Sequence, residues 1–143
     1  MLYSGTVAAA IEGAFFGVTS VAVSLEYNLD GNFDAAAVIA CKAIRDLLKR
    51  DDTAGGLFNI NVPTAATHSD HELKTVPMGL TKYGRSYEKR TDPGGRNYYW
   101  ALWSDPTEPP PEDTDLSELL RGNVTLTPLC FDMANHELLK KMK

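Results

Sequence analysis

The sequence predicts an α/β fold in which helices cover a layered β-sheet. This prediction rests first on residues 1–63, where segments of helical periodicity alternate twice with short apolar runs rich in β-branched residues. An order of helix, strand, helix, strand is typical of an α/β layered sheet. The rest of the chain contains a strong turn signal at Asp92-Pro93-Gly94-Gly95, followed by an aromatic run. This second pattern predicts a β-hairpin beyond the sheet.

The first predicted helix begins after Ser4, which stands at the N-cap, and ends before Gly17. Residues 18–25 then form an almost continuous apolar run, which predicts a buried, parallel strand. A second helix is predicted from Phe33 to Arg50, because its apolar residues recur at helical spacing. Residues 57–62 form the second predicted strand, which ends at a proline.

Shorter elements are expected in the second half of the chain. We expect strands at residues 75–83 and 86–90, joined by a turn at Gly84, and an aromatic strand at residues 97–103. The last predicted elements are a short helix, a strand and a final helix, at residues 115–121, 123–131 and 135–142.

These elements divide the chain into two parts of one domain. We expect residues 1–63 to form a partial α/β core and residues 64–143 to form an extension that contains the hairpin. The family resemblance described below implies that this extension is the oligomerisation part. Three residues precede Ser4, so we expect the strand that normally leads into such a helix to be missing from this chain. The sheet should then have an exposed edge, at residues 18–25 or at residues 57–62.

Composition narrows the classes of function. The net charge of −5 argues against binding to nucleic acid. No apolar run is long enough to cross a membrane. Cys41 and Cys130 lie far apart among apolar residues, so we expect buried free thiols and a cytoplasmic protein.

Ser4, Gly5 and Thr6 form a candidate phosphate site at the start of the first helix. The unpaired N–H groups and the dipole of a helix N-terminus attract an anion. The alternative is an ordinary N-cap, in which Ser4 and Thr6 satisfy the first N–H groups of the helix. His68 and His71 have a spacing that suits a metal, but a solvated surface loop is the favoured interpretation.

Four segments, in order and covering most of the chain, resemble motifs of the SurE family of phosphatases. They are Tyr3–Gly13, Phe58–Pro63, Thr91–Trp100, and Thr114-Asp115 with Gly122–Leu129. Two positions depart from the family pattern. Ala8 stands where the family usually has Gly, and Gly94 stands where it usually has Arg.

The resemblance implies a SurE-like, Rossmann-like layered core, here incomplete, with a C-terminal β-hairpin extension and a terminal helix. It also implies a metal-dependent nucleotidase that hydrolyses nucleoside monophosphates with Mg or Mn, assembled as a homodimer or homotetramer. The family's metal ligands precede the segment that matches here, so no catalytic and no metal-binding residue is assigned. Ser4, Gly5 and Thr6 match the phosphate-binding edge of the family's site.

Two functional hypotheses stay open, beside a chance match of an unrelated α/β domain, which the order of the four segments argues against. In the first, the chain is the C-terminal part of a nucleotidase and is inactive alone, because the residues that hold the metal are missing. In the second, the chain is a degenerate oligomerisation or binding module of the SurE family. Its oligomer interface would be Tyr98, Tyr99, Trp100 and Trp103, for which strand core is the alternative interpretation.

Overall fold

The computed structural model describes residues 4–81, 83–106 and 108–143, but not the side chains of residues 83–85 and 103–106. Within these residues the elements follow in an order that confirms the predicted α/β fold. They are α1 (Gly5–Phe15), β1 (Ser20–Leu25), α2 (Phe33–Leu48), β2 (Leu57–Val62), β3 (Leu73–Thr75), β4 (Tyr83–Thr91), β5 (Asn97–Pro106), α3 (Asp115–Leu120), β6 (Val124–Leu129) and α4 (His136–Lys141). Four strands form one sheet, in the order β1-β2-β6-β3, and β4 and β5 form a separate two-stranded sheet.

The two long helices begin where the sequence predicts, because both carry a side-chain cap. Ser4 Oγ accepts a hydrogen bond from the Val7 N–H at 3.3 Å, and Asn32 Oδ1 accepts one from the Ala35 N–H at 3.0 Å. Gly17 follows α1 with a φ of +76°, a left-handed conformation that suits glycine. These contacts fix the direction in which each helix leaves its loop.

The two long helices pack on opposite faces of the sheet. On one face, Val7, Ala10 and Ala14 of α1 pack against Ala22 and Leu57. The other face belongs to α2, because neighbouring residues of a strand point to opposite sides. That larger core contains Ala36, Ala43, Leu47, Phe58, Ile60, Val62, Val124 and Leu126.

Strand β6 joins the core sheet although it lies late in the chain. It pairs antiparallel with β2 and parallel with β3. The core sheet therefore takes strands from both sides of residue 63, and the predicted division of the domain at that residue stays a prediction. The parallel pairing of β1 with β2 agrees with the sequence.

Strand β1 is less buried than expected. Ala22 is its one fully buried residue, and the other five are partly exposed. Among the described residues β1 pairs with β2 alone, so it forms an edge of the sheet, whereas β2 lies inside it. The apolar run therefore predicted the existence of the strand correctly, but it predicted the burial of the strand wrongly. The burial of an edge strand depends on what covers the open side of the sheet.

The strand predicted at residues 86–90 is confirmed, because these residues lie within β4. The predictions of a strand at residues 75–83 and of a turn at Gly84 were wrong. The first strand of this region is the short β3, which ends at Thr75, and residues 76–81 are a loop. Gly84 lies inside β4 rather than in a turn, opposite Ser104. The hairpin is longer than predicted because pairing continues outward from the turn at Asp92, where Asp92 Oδ1 accepts hydrogen bonds from the N–H groups of Gly94 and Arg96.

Both cysteines are free thiols, as expected, but their predicted burial was wrong. Cys41 and Cys130 are exposed. Cys41 lies on α2 next to the buried Ala40, and one helical step turns it out of the core. Among the described helices, none combines the length and the hydropathy that crossing a lipid bilayer requires.

Candidate functional site

A cleft of about 270 Å³ opens between α1 and α3 on the α1 face of the sheet. Its floor is formed by polar side chains of two neighbouring strands, Ser24 of β1 and Asn59 and Asn61 of β2. Ser24 pairs with Asn61 in the parallel register, so the two side chains lie on the same face. The cleft therefore has a polar floor within a sheet that is otherwise mostly apolar.

The N-terminus of α1 reaches the rim of this cleft. Ser4 and Val7 line it, whereas Gly5 and Thr6 are exposed beside it. The N–H groups of Gly5 and Thr6 belong to the first helical turn, which has no acceptor within the helix. A Cβ at Gly5 would have no described atom within 4 Å other than those of its own helix and chain neighbours, so nothing in the described part of the chain covers this point of the helix. Of the three predicted phosphate-binding residues, Ser4 lines the cleft itself.

Asn59 is the most deeply placed residue of the cleft floor. Its side chain is 2% exposed, and its Oδ1 has no hydrogen-bond partner in the described part of the chain. Asn61 differs, because its Nδ2 donates to Thr125 Oγ1 at 3.4 Å. A buried acceptor without a partner is rare in folded proteins and calls for an explanation.

No role of Asn59 or Asn61 was predicted from the sequence. Their spacing of two in the apolar strand Leu57–Val62 was the available signal, because it puts two polar side chains on one sheet face. That spacing alone does not say whether this face of the sheet contacts solvent, a helix or a cleft.

The opposite wall of the cleft comes from α3 and from the loop after β3. Leu116 and Leu119 supply the helical part, and Met78, Gly79 and Thr81 supply the loop part. This wall is mostly apolar, in contrast to the floor. A ligand in the cleft would therefore meet hydrogen-bonding groups below and apolar surface beside it.

Asp115 fixes the loop wall to α3. Its Oδ1 accepts hydrogen bonds from the Gly79 N–H at 2.6 Å and from the Leu116 N–H at 2.8 Å. Its own N–H donates to the Pro77 carbonyl at 2.9 Å. A Cβ at Gly79 would lie 3.2 Å from both Asp115 Oδ1 and Thr114 Oγ1, so a side chain there would have to displace these atoms by a few tenths of an ångström. Asp115 was predicted to begin a helix, but it was not predicted to be part of a site.

The described residues do not fit a divalent cation. They contain no group of three or more His, Cys, Asp or Glu side chains that could hold a metal ion. Asp115 is the one carboxylate on the cleft wall, and its Oδ1 already accepts two backbone hydrogen bonds. A site for Mg or Mn normally requires several free oxygen ligands.

His68 and His71 do not belong to a metal-binding group in the described part of the chain. His68 Nε2 lies 2.8 Å from the Asp30 carbonyl oxygen, and His71 Nδ1 lies 3.4 Å from the Ser69 carbonyl oxygen. Both histidines thus contact the backbone of their own surroundings, which agrees with the interpretation as a surface loop.

The hairpin aromatic residues lie outside the cleft. Tyr98, Tyr99 and Trp100 on β5 are 41%, 67% and 52% exposed. Arg90 places its guanidinium 5.0 Å from the centre of the Trp100 ring, a cation–π contact. The side chain of Trp103, the fourth predicted interface residue, lies outside the described residues, although its backbone pairs with Arg85.

Comparison with known proteins gives the family. The family model described as survival protein SurE matches residues 1–89. The chain belongs to the SurE family. It is 64% identical over 143 residues to the 5′-nucleotidase SurE of Rhodopirellula baltica, a match that covers all of this chain and 56% of that protein. The 5′-nucleotidase SurE of Rhizorhabdus wittichii is 39% identical over 143 residues, with 96% of this chain and 56% of that protein covered.

A solved SurE structure has the same fold. The SurE protein from Aquifex aeolicus superimposes with a TM-score of 0.80 at 28% identity, and the match covers 99% of this chain and 57% of that one. This similarity confirms the predicted SurE-like fold. The chain spans about half the length of the SurE proteins that it matches.

Proposed function

We propose that this chain carries the phosphate-binding part of a nucleotidase that acts on nucleoside monophosphates. The observation that carries the proposal is the open N-terminus of α1 at the rim of a cleft with a polar floor. An 11-residue helix concentrates partial positive charge at its first turn, where a phosphate is stabilised. The names of the SurE relatives, 5′-nucleotidases, supply the substrate class.

Ser4, Gly5 and Thr6 would hold the phosphate in this proposal. The N–H groups of Gly5 and Thr6 donate to its oxygen atoms, and Ser4 Oγ keeps the first turn in place through its bond to the Val7 N–H. These groups stabilise negative charge on the phosphate, including the charge that develops during hydrolysis. They do not produce a nucleophilic water molecule.

We further propose that hydrolysis depends on a divalent metal, Mg or Mn, and that this chain alone binds phosphate without hydrolysing it. The described residues offer one carboxylate at the cleft, and it is already committed to two backbone N–H groups. A bound metal ion can supply the nucleophile that hydrolysis needs, because it lowers the pKa of its water molecule. Hydrolysis of a nucleoside monophosphate by the purified 143-residue chain with Mn²⁺ would contradict this proposal.

The phosphate site is tested by one substitution and a matched control. Ser4→Asp keeps a cap for α1 but adds a negative charge beside the proposed phosphate. We expect phosphate to bind about fivefold more weakly, since one charge at a helix N-terminus is worth up to about 1 kcal/mol. Asn32→Asp makes the same change in charge at the cap of α2, outside the cleft lining, and should leave binding unchanged.

The measurement follows the amide resonances of Gly5 and Thr6 by NMR while inorganic phosphate is added. Shifts that saturate in the unaltered chain and in Asn32→Asp, but weaken in Ser4→Asp, support the site. Equal affinity in all three proteins would remove Ser4, Gly5 and Thr6 from the proposal.

We propose in addition that the chain forms a homodimer or homotetramer through Tyr98, Tyr99, Trp100 and Trp103. The exposed aromatic side chains of β5 support this proposal, because a two-stranded hairpin is marginally stable when it stands alone in water. If oligomerisation were retained without phosphate binding, the chain would be an assembly module instead of part of an enzyme. The cytoplasmic location expected from the sequence stays a prediction.

A further inference from the structure

Helix α2 carries a row of exposed side chains on the side that faces away from the sheet. Its members are three or four positions apart, a spacing that keeps them on one side of a helix. They are Asp34, Val38, Cys41, Arg45 and Leu48. All five are exposed, with Val38 at 68% and Leu48 at 57%. The residues of α2 that pack on the sheet form a separate row on the other side of the helix.

The middle of this outer row is apolar, whereas the solvent side of a surface helix is normally polar. Val38 and Cys41 lie one turn apart at its centre, and Leu48 extends it toward the end of the helix. The steps along the row alternate between four and three residues, which is the spacing of the apolar seam between paired helices. The row therefore has the pattern of a surface that packs on another helix.

The apolar middle of the row is flanked by one charge of each sign. Asp34 precedes Val38 by four residues, and Arg45 follows Cys41 by the same number. The two charges lie eleven positions apart, about 16 Å along a helix, so they cannot pair within one copy. In the described part of the chain neither of them takes part in a salt bridge. Each charge is therefore available to a group of another molecule.

A second copy of α2, antiparallel to the first, complements this arrangement. When Val38 of one copy lies opposite Cys41 of the other, the equal spacing puts Asp34 opposite Arg45. Two-fold symmetry repeats every contact, so the pair contains two apolar contacts and two ion pairs. A parallel pair would put Asp34 opposite Asp34 and Arg45 opposite Arg45, and these like charges repel. Charge complementarity thus selects the antiparallel orientation.

We propose that the outer row of α2 is a self-complementary interface through which two copies of this chain pair with antiparallel helices. This surface is separate from the hairpin, and it depends neither on the hairpin interface nor on phosphate binding. Phe33 is also exposed, but one residue along a helix is a step of about 100°, so Phe33 lies beside the row and outside the contact. Together with the hairpin, α2 would supply the second two-fold contact that a homotetramer needs.

The test reverses the charges in the 143-residue chain with Trp100→Ser, so that association through the hairpin is weakened in every sample. Asp34→Arg puts two arginines opposite each other at both ends of the pair, and Arg45→Asp does the same with two aspartates. We expect each variant alone to associate about tenfold more weakly than the Trp100→Ser protein. Sedimentation velocity over a range of concentrations measures this, and circular dichroism melting checks that each variant is folded.

A mixture of the two charge variants is the decisive sample. One variant then carries two arginines in the row and the other carries two aspartates, so both ion pairs form between unlike copies. We expect the mixture to associate as tightly as the Trp100→Ser protein does. A loss of folding in either variant would not produce this rescue, because the rescue requires contact between the two altered positions.

Cys41 gives an independent measurement. In the antiparallel pair both Cys41 thiols lie within one helical turn of the symmetry axis. With Cys130→Ser added, Cys41 is the one cysteine of the chain, and a short bismaleimide should join two copies through it. Asp34→Arg should suppress this product. The matched control is Cys41→Ser, which leaves the equally exposed Cys130 and should give little cross-linked dimer.

Three results would overturn the interface. The first is a Trp100→Ser protein that is monomeric at every concentration, which would leave the hairpin as the interface and remove α2. The second is a mixture of the charge variants that associates no better than either variant alone, since the face would then bind no second α2. The third is cross-linking through Cys130 that is as efficient as cross-linking through Cys41.

Discussion

The core sheet buries its large apolar side chains, whereas the β4–β5 hairpin exposes them. In the core, Ile60 and Val62 are fully buried between β2 and α2. In the hairpin, Tyr99 and Trp100 are more than half exposed, and the described strands β4 and β5 pair with each other alone. The apolar side chains of the core are buried within one chain, whereas the hairpin exposes apolar surface that a partner could cover. If the proposed interface is correct, this difference separates the part of the chain that folds alone from the part that assembles.

The largest effect should follow from a change in the core. Ile60→Ala removes a side chain that is 0% exposed, and we expect it to lower the free energy of unfolding by about 2–5 kcal/mol. Tyr99→Ala, in the exposed hairpin, should lower it by about 0.5 kcal/mol or less when the chain is dilute and monomeric. Urea unfolding followed by circular dichroism measures both values. Similar losses for the two variants would show that the hairpin is as well packed as the core.

A smaller effect, on assembly alone, should follow from a change in the hairpin. Trp100→Ser removes a half-exposed aromatic ring from the proposed interface, and a central aromatic residue of an interface is typically worth about 2 kcal/mol. We therefore expect association to weaken about 30-fold while the unfolding of the core stays unchanged. Sedimentation velocity over a range of concentrations measures this.

The control for the hairpin variant is Phe33→Ser, which removes an exposed aromatic side chain at the start of α2. Its state of association should match that of the unaltered chain. If both variants dissociate alike, or if the unaltered chain is a monomer at every concentration, the hairpin is not the interface.

The smallest effect concerns two carboxylates, one in each region. Glu118 on α3 is 5% exposed, and its carboxylate accepts hydrogen bonds from Asn123 Nδ2 at 2.8 Å and Arg121 Nη1 at 2.5 Å. These bonds, with Asn123 first, lower the pKa of Glu118 below its ordinary value of 4.5. In the hairpin, the bond from Arg90 lowers the pKa of Glu88, whose side chain is 49% exposed.

A lowered pKa in the folded chain means that the charged carboxylate stabilises the fold. That contribution is complete above about pH 4.5, the ordinary value, and is lost as the pH falls through the lower value of the folded state. In Glu118→Gln, Tm should therefore fall less steeply as the pH drops below 4.5 than it does in the unaltered chain. Glu88→Gln should have little influence, because solvent screens an exposed ion pair. Melting curves from pH 3 to pH 7 compare the two, and a larger change for Glu88→Gln would reverse the expected order.

Much of the fold follows from local signals in the sequence. The caps Ser4 and Asn32 and the apolar spacing of α2 determine where the long helices begin. The turn at Asp92 determines the hairpin, because the Asp92 carboxylate holds the N–H groups of Gly94 and Arg96. The same local reasoning failed at Gly84, which pairs with another strand and does not form a turn. It also failed at Cys41, which lies one helical step away from the core and is therefore exposed.

The cleft illustrates which part of the site could be predicted. Ser4, Gly5 and Thr6 were predicted because the start of a helix is a local feature. Asn59, Thr81 and Asp115 could not be assigned in advance, because their roles depend on elements that lie far apart in the chain. The loop wall, for example, depends on the bond between Gly79 and Asp115, which are separated by 36 positions.

The sequence by itself determined the α/β character of the chain, the caps of its long helices, the tight turn of its hairpin and, through its motifs, the SurE family. The tertiary structure alone decided that β6 lies between β2 and β3, antiparallel to β2 and parallel to β3, and that Asn59 faces a cleft. The reason is physical. Caps, turns and periodicity act over a few residues, whereas strand order and register depend on packing between segments that the chain brings together only when it folds.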